Sequence, residues 1–185
     1  MMTEISLNIL DIVENSIRAE ASLISIEVKA DTDADRLTVF VEDDGCGMTP
    51  EQIAQAEDPF YTTRTTRKIG LGIPFFKMAA LSAGGDFSIW SEPGKGTMLR
   101  AEFGLSNIDR MPLGDISGTI HTLVVFNPGI DFVYTYRYND RSFVLDTREF
   151  RQILGDVPID APEVSSYILD YLNENKRETD GGAVF

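Results

Sequence analysis

The chain has 185 residues, 43% of them hydrophobic and 25% charged, which suits one folded domain with or without a small appendage and excludes a disordered chain or a disulfide-stapled miniprotein. Acidic residues outnumber basic ones by 30 to 16, and the net charge of −14 argues against general binding to nucleic acid or to an anionic membrane. The single cysteine, Cys46, permits no internal disulfide, no apolar run nears the roughly 18 residues of a membrane span, and Met1 leads into an amphipathic segment rather than a signal peptide, so the expected location is cytoplasmic.

Residues 4–21 carry Ile5, Ile9, Ile12, Val13 and Ile17 at the spacing of one helical face. Strands are predicted over 23–28 and 37–43, the second alternating Leu37, Val39 and Val41 with Thr38, Phe40 and Glu42, with an acidic turn at 31–35 between them. Thr49-Pro50-Glu51 has the chemistry of a helix start, so 50–57 reads as a short helix. Residues 59–68 show no period. A helix follows over 70–83, tolerating Pro74 near its first turn and stopping at Gly84-Gly85, and 87–91 with 97–103 form a hairpin around residues 93–96. Beyond Asn107 the pattern changes: strands are predicted over 116–126, 131–138 and 142–145, then two helices capped at Asp146 and Asp160, with Glu149 and Glu163 three residues on. The last helix carries Val164, Tyr167, Ile168, Tyr171 and Leu172 as an apolar stripe that must pack on something. The organisation expected is a main domain over 1–108, a small α+β extension over 109–177, and a flexible tail over 178–185.

Four clusters carry chemistry. On the polar side of the first helix, Asn8, Asp11, Asn15 and Arg18 fall within an arc of about 80°, either as a solvated face or as an acid, two amides and a guanidinium aimed one way. Asp43-Asp44-Gly45-Cys46-Gly47 ends a strand whose alternation puts Asp43 on the core side; the cluster is either an ordinary Asp-Gly turn or a buried carboxylate awaiting a donor, for which an adenine amino group is one candidate. From Pro59 to Gly85 there is no acidic residue, while Arg64, Arg67, Lys68 and Lys77 are basic and are interleaved with threonines. This island suits a polyphosphate at a helix start, or else forms an exposed loop ion-paired to its surroundings. Pro93-Gly94-Lys95-Gly96-Thr97 is by itself a hairpin turn.

In this order, over residues from about 4 to 104, the clusters resemble the GHKL superfamily of gyrase, chaperone, histidine-kinase and MutL-like ATPases. The resemblance implies the Bergerat ATP-binding fold, an α+β two-layer α/β sandwich with a mixed sheet, and ATP and Mg²⁺ as cofactors. It implies Asn15 as the Mg²⁺ ligand and Arg18 facing the phosphates. Asp43, Gly45 and Gly47, followed by Met48, match the adenine box, with Asp43 accepting from the adenine amino group. Phe60, Thr62, Thr63 and Arg64 look like the F box of sensor kinases; Gly70, Leu71 and Gly72 like the second glycine box; and Gly94, Gly96 and Thr97 like the third. Arg67 and Lys68 stand where kinases place a further Gly-x-Gly, so side-chain cations replace part of the backbone phosphate contacts. Asp11 occupies the position of the water-orienting Glu of hydrolytic members, with Glu14 as second candidate for that base.

The resemblance implies a stand-alone kinase-like module, without a dimerisation and phosphoacceptor domain, that passes the γ-phosphate to a partner protein in signal transduction. The alternatives are a slow ATPase or a non-catalytic ATP-sensing regulatory subunit, comparable to anti-sigma modules or attached to a redox complex. The sole histidine, His121, is expected in a strand with a structural or surface role. No nucleic acid or membrane partner is expected.

Overall fold

The computed structural model describes residues 3–58 and 71–185. Its elements run α1 (Ile5–Arg18), β1 (Leu23–Asp31), β2 (Arg36–Asp43), α2 (Pro50–Glu57), α3 (Gly72–Ser82), β3 (Asp86–Glu92), β4 (Gly96–Gly104), α4 (Ile116–Phe126), β5 (Asp131–Tyr138), β6 (Arg141–Asp146), α5 (Thr147–Leu154) and α6 (Pro162–Asp180). The strands form one six-stranded mixed sheet in the order β3-β4-β2-β1-β5-β6. Every neighbouring pair is antiparallel except β1 with β5.

Alternation along the strands divides this sheet into a dry and a wet face. Ile24, Ile26 and Val28 of β1, Leu37, Val39 and Val41 of β2, and Phe132, Tyr134 and Tyr136 of β5 are buried in one core with Ile9 and Val13 of α1, Phe76 of α3, Leu123 of α4 and Ile168 of α6. Each such side chain contributes about 1.5–3 kcal/mol by leaving water. The opposite face is wet and carries cross-strand ion pairs, Arg137 with Glu27 and Arg36 with Glu102.

The predicted helix at 50–57 is present, closed by a capping box in which the Thr49 side chain accepts from Gln52 N and the Gln52 side chain accepts from Thr49 N. Residues 116–126 are not the expected strand. They form α4, whose Asp115 cap accepts from Gly118 N at 2.8 Å and whose Ile116, Ile120, Leu123 and Val124 are buried at helical spacing. Their β-branched residues favour a strand locally, but packing on α1 and α6 decides for helix. The cap of α6 is Ala161 with Pro162 at the first turn, not Asp160.

Residues 109–177 add β5 and β6 to the common sheet, β5 lying beside β1. The end of the chain is docked rather than loose. Helix α6 continues to the buried Asp180, which accepts from Tyr136 Oη at 2.9 Å, from Lys176 Nζ at 2.7 Å and from Gly182 N at 2.8 Å. Phe185 O then accepts from Leu113 N, and its ring packs on Tyr138.

Candidate functional site

Helix α1 passes over the end of β2, and between them lies a cavity of about 580 Å³. Its walls are mostly apolar, among them Ile12, Val41, Met48, Ile73, Ile89 and Leu99, and its polar groups include Asn15, Arg18, Asp43 and Thr97. Such a cavity, apolar with a few fixed polar groups, is the usual form of a small-molecule site.

Asp43 is the most constrained of these groups. It is 8% exposed, its Oδ2 accepts from Ser16 Oγ at 2.5 Å, and its Oδ1 accepts from Gly45 N at 3.0 Å. Its neighbour Asp44 points away and clamps the start of β1, accepting from Ser22 N, Ser22 Oγ and Leu23 N, bonds that hold its carboxyl below the ordinary range. Cys46 N donates to Ala19 O, so the turn after β2 is tied to the end of α1.

Gly47 has φ +67°, and a Cβ there would stand 2.0 Å from Glu92 O, so only glycine lets this turn lie against the β3–β4 hairpin. Gly94 N donates to Cys46 O from the hairpin side. Thr97 sits opposite Asp43 in the β2–β4 register, and Ser91 Oγ binds together Met48 N, Gly96 O and Thr97 Oγ1 at 2.8 to 2.9 Å.

The expected polar face of α1 is divided. Asn15 and Arg18 line the cavity, with Arg18 Nη1 donating to Asn15 Oδ1 at 3.3 Å and Nη2 to Glu14 at 3.0 Å. Asn8 turns inward instead, 1% exposed, its Nδ2 donating to Glu4 O. Asp11 is half-buried against the start of α3, where a Cβ on Gly72 would stand 3.0 Å from Asp11 Cβ. Burial first, and Glu14 second, push its carboxyl above the usual carboxylate range, opposed by Arg18. Leu71 caps α3 and is exposed. Lys77 of the basic island pairs with Glu57 of α2. Phe60, Thr62, Thr63, Arg64, Arg67, Lys68 and Gly70 lie outside the described residues.

Ser16 and Ser91 escaped the sequence reading. Ser16 had a signal: it continues the buried stripe of Ile9, Ile12 and Val13, and a polar residue on a core stripe requires a partner.

The mixed sheet, with α1 lying over the end of β2 and Asp43 at the floor of the cavity between them, can be compared with known folds. The fold is similar to the ATPase domain of Aquifex aeolicus MutL complexed with ADP, at a TM-score of 0.52 and 12% identity over 92% of this chain and 70% of that one. It also resembles the N-terminal domain of a DNA repair protein, at a TM-score of 0.56 and 16% identity over 78% of this chain and 53% of that one. Residues 3–107 match the family of histidine kinase-, DNA gyrase B- and HSP90-like ATPases, and the chain belongs to that family. Among curated relatives it is 38% identical over 89 residues to the sensor protein kinase FleS of Pseudomonas aeruginosa, a match covering 48% of this chain and 22% of that protein. It is 32% identical over 91 residues to sporulation kinase E of Bacillus subtilis, covering 48% and 12%. The match thus takes in only a minor part of each relative. Among the described residues no helix is long and apolar enough to cross a membrane.

Proposed function

We propose that the chain binds ATP with Mg²⁺ in the cavity under α1 and passes the γ-phosphate to a partner protein. The observation that carries this reading is Asp43. A carboxylate offers about four lone-pair directions, and the bonds from Ser16 and Gly45 use two of them. An adenine amino group suits those that remain, while guanine brings a carbonyl oxygen to the same place and is repelled. Met48, Ile73, Ile89 and Leu99 supply apolar walls for a planar base.

Mg²⁺ fits the donor set. It keeps several waters and takes phosphate oxygens, so one neutral protein oxygen is enough. Asn15 would hold it through Oδ1, which among the described residues accepts a long bond from Arg18. Among the described residues no cluster of three acidic, His or Cys side chains offers a rival site. The ion would supply charge neutralisation at the phosphate oxygens. Arg18, free to exchange Glu14 for a phosphate, adds positive charge on the same side.

A second reading, slow hydrolysis, is favoured by Asp11, a carboxylate of raised proton affinity placed four residues before Asn15. Phosphotransfer and hydrolysis share the nucleotide and differ in the acceptor.

Calorimetry with MgATP and MgGTP tests the base assignment. ATP is expected to bind far more tightly, and Asp43→Ala to lose about 1–3 kcal/mol of ATP binding. Equal affinities for the two nucleotides would sink it. With γ-labelled ATP and cell extract, label on a second protein supports transfer, whereas free phosphate alone supports hydrolysis.

A further inference from the structure

Beyond the family-matched residues 3–107, helices α5 and α6 enclose a groove of about 430 Å³. Phe150, Ile153 and Leu154 line it from α5, and Val164, Tyr167 and Tyr171 from α6. Phe150 packs edge-on against Tyr171 with ring centroids 5.5 Å apart, and Tyr167 lies 6.2 Å from Phe150, so part of the lining is aromatic and interlocked. Ile153 is 85% exposed and Tyr167 60%. Single exposed apolar residues are ordinary, but these two stand on facing walls of one groove.

The charge around the groove has one sign. Glu149 and Glu163 line it, Asp156 and Asp160 are exposed on the loop joining the two helices, and Asp170 is exposed on α6 between the groove residues Tyr167 and Tyr171. None of these five forms an ion pair among the described residues. Of the cations on the neighbouring segments, Arg148 pairs with Asp146 while also feeling Glu149, Arg151 pairs with Asp131 and Lys176 with Asp180, and Arg177 is exposed further along α6. An apolar groove with a net acidic rim repels anionic lipid and acidic peptides. It suits a helix whose apolar residues enter the groove while Lys and Arg stems extend to the rim.

We propose that the α5–α6 groove docks a basic amphipathic segment of a partner protein. The inference rests on the proposed function only in taking the partner to be a protein, and it is tested without nucleotide, so either can fail alone.

The probe is a fluorescein-labelled synthetic peptide of about 14 residues, Leu on one helical face and Lys elsewhere, with two controls: the same Leu face with Glu elsewhere, and a scrambled Leu/Lys peptide. Anisotropy with the full chain is expected to show binding of the Lys amphipath, about tenfold weaker binding of the scrambled peptide and none of the Glu peptide. Glu149→Gln with Glu163→Gln should weaken binding severalfold and flatten its dependence on salt between about 50 and 500 mM. Ile153→Ser with Tyr167→Ser, both at mostly exposed positions, should abolish it while the chain still melts cooperatively; should the pair fail to fold, Ile153→Ser alone, whose side chain is 85% exposed, is the variant read. Equal binding of the scrambled peptide, or undiminished binding by the Ile153→Ser, Tyr167→Ser chain, overturns the proposal. Self-association of the parent chain that the same pair of changes abolishes would assign the groove to a second copy and overturn it too.

Discussion

The hydroxyl of Ser16 donates to Oδ2 of Asp43 across 2.5 Å, joining the buried face of α1 to the end of β2. Both side chains are nearly inaccessible, at 3% and 8% exposed. With Gly45 N on the other carboxylate oxygen, the bond fixes how Asp43 is presented to the cavity. Ser16→Ala removes one of two donors from a buried carboxylate, and a loss of about 1–3 kcal/mol of stability is expected. It reads as a lower urea midpoint at unchanged slope, with nucleotide affinity reduced as well. An unchanged midpoint would mean that the carboxylate finds another donor, so that the serine does not set its orientation.

Two glycines of the turns beside the site separate conformation from contact. Gly94 has φ +77° with nothing within 4 Å of an added Cβ, whereas Gly47 has φ +67° with Glu92 O at 2.0 Å. Gly94→Ala should cost about 1–2 kcal/mol, the left-handed penalty alone. Gly47→Ala should cost clearly more, because the β3–β4 hairpin must move. Equal melting temperatures for the two variants would show that the contact between the turns carries no stability.

Asp11 makes a pH prediction with a definite sign. Its proton affinity is raised in the folded chain, so the native state binds the proton more readily than the unfolded one. Its ionisation therefore opposes folding above the ordinary carboxylate value of 3.8, and the cost vanishes as pH falls below that value. Asp11→Asn should be somewhat more stable than the parent near neutral pH and should lose that advantage in acid, as read by urea titration across pH. The same variant should lower any ATP hydrolysis much more than it lowers ATP binding. If its hydrolysis matches the parent's, water is activated elsewhere, with Glu14 next.

His121 is held in α4 against α6. Its Nε2 lies 2.9 Å from Ser165 Oγ and 3.1 Å from Ser165 O. An imidazole engaged this way is not presented as a phosphoryl acceptor, so γ-labelled ATP should leave no acid-labile label on the chain alone. Such label, lost in His121→Ala, would make the chain its own acceptor.

Periodicity and local chemistry determined a large share of this protein. The stripe of Ile5, Ile9, Ile12 and Val13 specifies α1, the Thr49-Pro50-Glu51 start specifies α2, and the alternation through Val41 puts Asp43 on the inner face, because each signal lies within a few residues of what it controls. The order of the motifs identified the family from the same local information. The tertiary structure alone decided the rest. The β-branched run at 116–126 favours a strand until Ile120 and Leu123 are buried in the shared core, and Asn8, on the polar arc by angle, turns inward to Glu4. Whether Asp43 would be a turn residue or the floor of a cavity depended on Ser16, and whether residues after 109 would stand apart depended on β5 pairing with β1. Both outcomes come from contacts between segments far apart in the chain, whose free energy exceeds the roughly 1 kcal/mol spread of local propensities.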